Sequence, residues 1–223
     1  DVPPERDLCW RAARLLQNHT GCRLGADIAL QKRLPLGGGL GGGSSDAATV
    51  LLVLNRLWQL NLPRAELQAL GLALGADVPV FVFGRSAFAE GVGEILTPWM
   101  PAPASYVVLT PPVQVSTPAI FADPGLTRNT PSIRILDLSD GCGRNDLEPL
   151  ACALYPEVAE HLAWLNSQCV GNRVARMTGS GSCVFAGFAD RAAAEQVFAL
   201  RPGQMNGFVA DGLDRHPLYA FAD

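Results

Sequence analysis

Apolar positions along the chain alternate between helical and strand spacing. Leu8, Ala12, Leu15 and Leu16 share one helical face, and Gly21 closes that segment. Residues 26–34 read as a strand, with Ile28 and Leu30 pointing one way. A glycine-dense run follows. From about residue 46 to 60, Ala47, Val50, Leu51, Leu54, Leu57 and Trp58 return to helical spacing. Pro63 opens another helix that runs to Leu74, where Gly75 stops it. Short apolar stretches at 80–83, 86–89 and 94–97 read as strands. Proline and glycine punctuate residues 98–103 and mark a boundary between a first domain, 1–98, and a second, 99–223.

The second domain has a different rhythm. A strand at 106–110 is followed by helical material at 116–121 and, after a polar stretch, by helices near 145–154 and 156–167. Strands at 173–177 and 183–188 flank the turn Thr178-Gly179-Ser180-Gly181-Ser182, and a helix at 190–200 and a strand at 207–210 finish the unit. The order β, helices, β, β, α, β is the split βαβ, or ferredoxin-like, pattern.

Composition narrows the function classes. Hydrophobic residues make up 48% of the 223 and charged residues 17%, enough apolar side chain for a real core. The net charge is -4 with no run of Lys or Arg, which argues against a surface that tracks a nucleic-acid backbone. No apolar run approaches the ~20 residues that span a bilayer, and the N-terminus reads as neither a signal nor a transit peptide. Cys9, Cys22, Cys142, Cys152, Cys169 and Cys183 form no C-x-x-C pair and read as buried or idle thiols. His19, His161 and His216 are scattered without ligand spacing.

The chemistry concentrates in Pro35-Leu36-Gly37-Gly38-Gly39-Leu40-Gly41-Gly42-Gly43-Ser44-Ser45. Glycine costs backbone entropy, so a plain turn would use one or two. A glycine-saturated loop lets backbone N–H groups approach a ligand, and the helix after it adds unpaired N–H groups and partial positive charge; together they cradle phosphate. Ser44 and Ser45 can cap the helix or bond a phosphate oxygen. No Gly-Lys-Ser/Thr closes the loop, so it is not a Walker A. Gly37, Gly39 and Gly42 satisfy G-x-G-x-x-G, but the following region reads as helix rather than the second strand a dinucleotide fold requires. The bland alternative is a flexible hinge. Lys32 and Arg33, just before the loop, read as a solvated strand end, with a phosphate contact as the alternative.

Two further segments carry candidates. Gly75-Ala76-Asp77-Val78-Pro79-Val80-Phe81 sets one carboxylate between a helix end and an apolar stretch, where it either caps a turn or serves as the base that phosphoryl transfer requires at an acceptor hydroxyl. The turn at 178–182 is either a hairpin turn or a backbone nest beside phosphate. Nothing near Cys183 in sequence would activate it as a nucleophile.

The segment from Pro35 to Thr49 resembles the ATP-binding motif of the GHMP kinases (galactokinase, homoserine kinase, mevalonate kinase and relatives). The doubled Gly-Gly-Gly, the Ser-Ser-Asp-Ala-Ala-Thr that follows, and the Gly-Ala-Asp-Val-Pro-Val-Phe segment are most similar to the branch that acts on a cytidine diphosphate-linked methylerythritol in isoprenoid synthesis. Resemblance extends over nearly the whole chain. It implies an α+β fold of two domains, an N-terminal ribosomal-protein-S5-like domain and a C-terminal ferredoxin-like domain. It implies ATP bound on Pro35–Ser45 with Mg2+ on its phosphates, Ser45 being the candidate hydroxyl, and Asp77 as catalytic base. Gly179, Ser180 and Gly181 match the third GHMP motif, beside nucleotide and substrate. Ser116-Thr117-Pro118-Ala119-Ile120-Phe121 matches the stretch whose aromatic stacks on cytosine, which makes Thr117 and Phe121 substrate-binding candidates; a core phenylalanine is the alternative for Phe121. Asn145-Asp146-Leu147-Glu148-Pro149 looks like the entry to the C-terminal helical pair, and its polar residues can simply cap that helix. Glu90, in Phe88-Ala-Glu-Gly-Val-Gly-Glu94, needs no chemical role.

The family begins with a Lys-Leu-Asn-Leu strand and a Tyr-His pair that this sequence does not contain. The chain therefore reads as a member lacking its first strands, in a bacterial cytoplasm or a plastid stroma. Without that lysine and those strands the 223-residue chain is expected to be weakly active or inactive, and marginally stable, and ADP release by the purified chain measures the first directly. Rival readings are a GHMP kinase for homoserine, mevalonate or a sugar, a non-catalytic nucleotide-binding protein, and, more distantly, a dinucleotide-dependent oxidoreductase.

Overall fold

A computed structural model describes residues 3–133, 143–171 and 173–222. They divide into two compact units. The first comprises residues up to Gln31, Gly41–Pro101 and the chain from Leu213 on; the second comprises Lys32–Leu40 and Ala102–Gly212.

The first unit is built around helices α1 (Leu8–Thr20), α2 (Gly42–Leu57), α3 (Arg64–Leu74) and α4 (Val78–Phe83), with the hairpin β1 (Ala87–Glu90) and β2 (Ile95–Pro98). The Asp7 side chain caps α1 by accepting from the N–H groups of Cys9 and Trp10 at 2.8 and 3.1 Å, and left-handed Gly21 ends it. Cys9, Ala12 and Leu16 of α1 pack against Ala47, Leu51 and Leu54 of α2, Leu67 of α3 and Val78 and Val82 of α4. Each fully buried leucine or valine stabilises this core by roughly 1.5–3 kcal/mol relative to exposure. Asn55, buried on α2, bonds the backbone of Leu62 in both directions, at 2.9 and 3.1 Å, and so fixes the loop into α3.

Three local expectations are corrected here. Residues 26–34 form no strand: a strand needs a hydrogen-bonded neighbour, and no described segment pairs with this one. The segment is tied down instead by Gln17, which donates to the Leu24 carbonyl at 2.7 Å, and by the Trp58 indole, which donates to the Gly25 carbonyl at 3.3 Å. The apolar run at 80–83 is not a strand but part of α4. Pro79 suits its first turn, left-handed Gly84 ends it, and Arg64 donates to its last carbonyls, Val82 at 2.6 Å and Phe83 at 3.3 Å. An unbroken apolar run has no period, so only its caps reveal the helix. Finally, α2 starts at Gly42 rather than near residue 46, so the last glycines of the loop are its first turn.

The second unit is a four-stranded antiparallel sheet of β3 (Ser105–Leu109), β4 (Arg176–Met177), β5 (Val184–Phe188) and β6 (Gly207–Asp211) in the order β4-β5-β3-β6. With α5 (Thr117–Ala122), α6 (Glu148–Leu154) and α7 (Pro156–Ser167) between β3 and β4, and α8 (Arg191–Ala199) between β5 and β6, this is the ferredoxin-like order. The register pairs Val107 with Ala186 on β5 and with Val209 on β6. Val107, Leu109, Val184, Ala186 and Phe188 alternate onto the face that packs with Val158 and Leu165 of α7 and Ala194 of α8. The strand expected over 173–177 shrinks to the two residues of β4. Cys142 and the other residues at 134–142 lie outside the described residues.

Candidate active site

The glycine loop is shared between the units: Pro35–Leu40 belong to the second, Gly41–Ser45 to the first. In the second unit, Gly38 and Gly39 lie against the turn at 178–182. Cys183 N–H donates to the Gly38 carbonyl at 3.1 Å, and the Thr178 hydroxyl donates to the Gly39 carbonyl at 2.8 Å. Gly39 has φ +72°, and a Cβ there would stand 2.2 Å from the Thr178 carbonyl oxygen and 2.9 Å from that of Gly181. Only glycine satisfies both the backbone conformation and the approach.

In the first unit, Gly41 is the N-cap of α2, left-handed at φ 65° and ψ 13°, with no side chain capping the helix. The first intrahelical bond runs from Ser45 N–H to the Gly41 carbonyl at 2.8 Å. The N–H groups of Gly42, Gly43 and Ser44 therefore point out of the helix start without intrahelical acceptors. This is the arrangement that receives phosphate oxygens. The α3–α4 junction lies beside it: a Cβ on Gly41 would meet the Phe81 ring at 3.0 Å, and one on Gly75 would lie 3.9 Å from the Ser44 hydroxyl.

Asp77 sits at that junction, as the N-cap position of α4. Its side chain is exposed and makes no capping hydrogen bond, so the turn-cap role that was one of two readings is not what the carboxylate does. The β1–β2 turn reaches the same place, since a Cβ on Gly93 would come within 3.1 Å of the Ala76 carbonyl oxygen. Glu94 is occupied inside that turn, accepting from Val92 N–H at 2.7 Å.

The turn at 178–182 also reaches α5. The hydroxyls of Thr117 and Ser180 are 2.6 Å apart. Phe121, one turn further along α5, is 53% exposed while its neighbour Ile120 is fully buried. The core-phenylalanine alternative therefore falls away. Cys183 is buried, and burial pushes its thiol up to about 11, so the inert reading of this cysteine holds. The predicted site residues thus form two groups, one per unit, joined by the covalent link between Leu40 and Gly41. Arg33 does not belong to either; it lines a cavity of about 380 Å3 with Thr110, Arg201 and Asn206. Sequence reasoning missed Thr178 as the residue that holds Gly39. Its place immediately before the second glycine turn was the available signal.

A split βαβ unit, a helix that begins inside a glycine loop and an acid at a neighbouring helix start are the marks of a GHMP-type small-molecule kinase. The GHMP kinases N terminal domain model matches residues 7–85 and the GHMP kinases C terminal model matches residues 131–199. A 4-diphosphocytidyl-2-C-methyl-D-erythritol kinase of Thiobacillus denitrificans is 62% identical over 99% of this chain and 78% of its own length. One from Nitrosospira multiformis is 59% identical over 100% of this chain and 75% of its own length. The crystal structure of a 4-(cytidine 5'-diphospho)-2C-methyl-D-erythritol kinase superposes with TM-score 0.74 at 35% identity, over 96% of this chain and 81% of that one. A homoserine kinase from Cytophaga hutchinsonii, at 15% identity and TM-score 0.66, shares the fold. The chain belongs to the 4-diphosphocytidyl-2-C-methyl-D-erythritol kinase family of GHMP kinases.

Proposed function

We propose that the chain transfers the γ-phosphoryl group of ATP to the 2-hydroxyl of 4-diphosphocytidyl-2-C-methyl-D-erythritol, a step of isoprenoid synthesis in a bacterial cytoplasm. The 62% identity over 99% of the chain to a protein of that activity carries this reading. No described helix is long and apolar enough to cross a membrane.

The residues divide the work of phosphoryl transfer. The N–H groups at the start of α2 and the backbone of Gly37–Gly43 bind the phosphate chain, fitting it through left-handed glycines that leave no side chain in the way. Among the described residues no group of three His, Cys, Asp or Glu could hold a metal. The Ser45 hydroxyl, in the first turn of α2, would be the protein contact for Mg2+, which would supply neutralisation of charge on the transferred group. Asp77 accepts the proton of the acceptor hydroxyl as it attacks the γ-phosphorus. Phe121 offers its exposed ring to the cytosine, with Thr117 and the 179–181 backbone beside it. The protein's contribution is mainly position and charge, as in-line phosphoryl transfer demands.

ADP release with a panel of acceptors tests the assignment. Turnover only with the cytidine-linked acceptor is expected; equal turnover with homoserine or mevalonate would replace it with another GHMP activity. Phe121→Ala is expected to raise KM for the cytidine-linked acceptor by about 5- to 150-fold, the equivalent of about 1–3 kcal/mol of stacking. Because Phe121 is 53% exposed, the melting temperature should not move. An unchanged KM would remove Phe121 from the acceptor site.

A further inference from the structure

The segment Asn145-Asp146-Leu147-Glu148 enters α6, and helix capping explains only part of what its side chains do. The Asn145 carboxamide oxygen accepts from Leu147 N–H at 3.0 Å, which is the local, cap-like bond. Its amide nitrogen reaches across the unit and donates twice, to the Met177 carbonyl at 3.1 Å and the Gly179 carbonyl at 2.7 Å. Glu148 then accepts from Met177 N–H at 2.7 Å. Both donor hydrogens and one acceptor site of the amide are used, and two of those three bonds go to the end of β4 and the turn after it rather than to the helix.

That turn closes on itself through two backbone bonds, Thr178 N–H to the Cys183 carbonyl at 3.0 Å and Gly181 N–H to the Thr178 carbonyl at 2.9 Å. β4 is two residues long and pairs with β5 only at Arg176–Phe185 and Met177–Val184. Yet the turn carries two outgoing links: Thr178 to the Gly39 carbonyl of the glycine loop, and Ser180 to Thr117 on α5. The backbone at 177–179 is thus gripped from the α6 side, and the glycine loop is gripped by the residue in the middle of that stretch.

We propose that Asn145 is a positioning residue for nucleotide binding, acting through the 178–181 turn on Gly39, with Glu148 as its second anchor. It touches neither nucleotide nor acceptor. Removing its two donors frees the Met177 and Gly179 carbonyls, lets the turn relax, and loosens the Thr178–Gly39 bond that shapes the loop. The proposal rests on the reading of the glycine loop as the nucleotide site.

Asn145→Asp separates positioning from capping. Aspartate keeps the oxygen that accepts from Leu147 N–H and is a good helix-start residue. It cannot donate, and it would set carboxylate charge against two carbonyls. Direct titration of ATP-Mg2+ onto the parent, N145D, Thr178→Val and the double variant, each with its melting temperature, reads the effect without turnover. N145D is expected to weaken ATP binding by about tenfold, the scale of one or two lost hydrogen bonds. Its kcat at saturating ATP should stay within about threefold, because the acting groups are untouched. Thr178→Val should weaken ATP by a similar factor, and the double variant by less than the product, because both act through one chain of bonds. Should N145D not fold, Asn145→Ser removes the same donors without adding charge and is held to the same expectation. A parent that binds ATP beside an N145D or N145S that binds it equally well overturns the proposal. A parent that does not bind ATP overturns the nucleotide-site reading beneath it instead.

Discussion

Asp77→Asn is expected to lower ADP release by about 10²–10⁴-fold while leaving the protein's stability unchanged, the range a positioned general base contributes. The two halves of this expectation come from separate observations. Asp77 stands two residues beyond Gly75, where an added Cβ would lie 3.9 Å from the Ser44 hydroxyl in the first turn of α2, so the α3–α4 junction that carries it lies beside the start of that helix. It is also exposed and caps nothing, so asparagine at the same place costs no hydrogen bond within the fold. A structural aspartate would show the opposite pattern, a lower melting temperature with turnover falling in step. The decisive measurement pairs steady-state ADP release at saturating ATP and acceptor with a thermal melt. ATP affinity should be retained, because the proposed phosphate contacts are backbone groups of the loop and α2. Turnover within about threefold of the parent would remove Asp77 as the base, since a base contributes at least about 10²-fold.

Gly39→Ala is expected to abolish measurable ATP binding. The Cβ would overlap two backbone carbonyl oxygens, at 2.2 Å and 2.9 Å, and backbone cannot swing aside as a side chain would. The loop would have to withdraw, giving up the Thr178–Gly39 and Cys183–Gly38 bonds at about 1 kcal/mol each. A left-handed conformation for alanine adds about 1–2 kcal/mol. The sum, about 3–4 kcal/mol, corresponds to a weakening of at least about 100-fold if it falls on the bound state. Gly37→Ala is the matched control: Gly37 is also left-handed, at φ +70°, but a Cβ there meets nothing within 4 Å. It should show only the conformational cost. If the two variants bind ATP alike, the close packing of the loop on the 178–181 turn does not matter for nucleotide binding.

Much of this molecule was legible along the chain because its elements carry their own punctuation. α1, α3, α7 and α8 combine helical spacing with recognisable ends, and Gly21, Pro63, Gly75 and Asp190 stand where the expected helices start or stop. The strands of the second unit are short apolar stretches between turns, and their order along the chain with the helices already implied the split βαβ arrangement. The glycine loop was visible because so many glycines in succession have no cheaper explanation than backbone approach to a ligand. Asp77 was visible only as one acid among several until the Gly-Ala-Asp-Val-Pro-Val-Phe context singled it out.

Tertiary structure alone decided the rest. The apolar run at 80–83 has no period of its own, and it became helix because Pro79, Gly84 and Arg64 satisfy its two ends. Residues 26–34 have the alternation of a strand but no described partner to complete a ladder, and pairing is a property of two segments. The meeting of Gly39 with Thr178, and of Asn145 with Gly179, joins residues 139 and 34 positions apart through single hydrogen bonds. No local propensity encodes such a bond. Sequence by itself determined which segments could bind phosphate and which unit would be ferredoxin-like; the folded chain determined which carbonyl each side chain reaches, because that depends on how distant segments pack rather than on either segment alone.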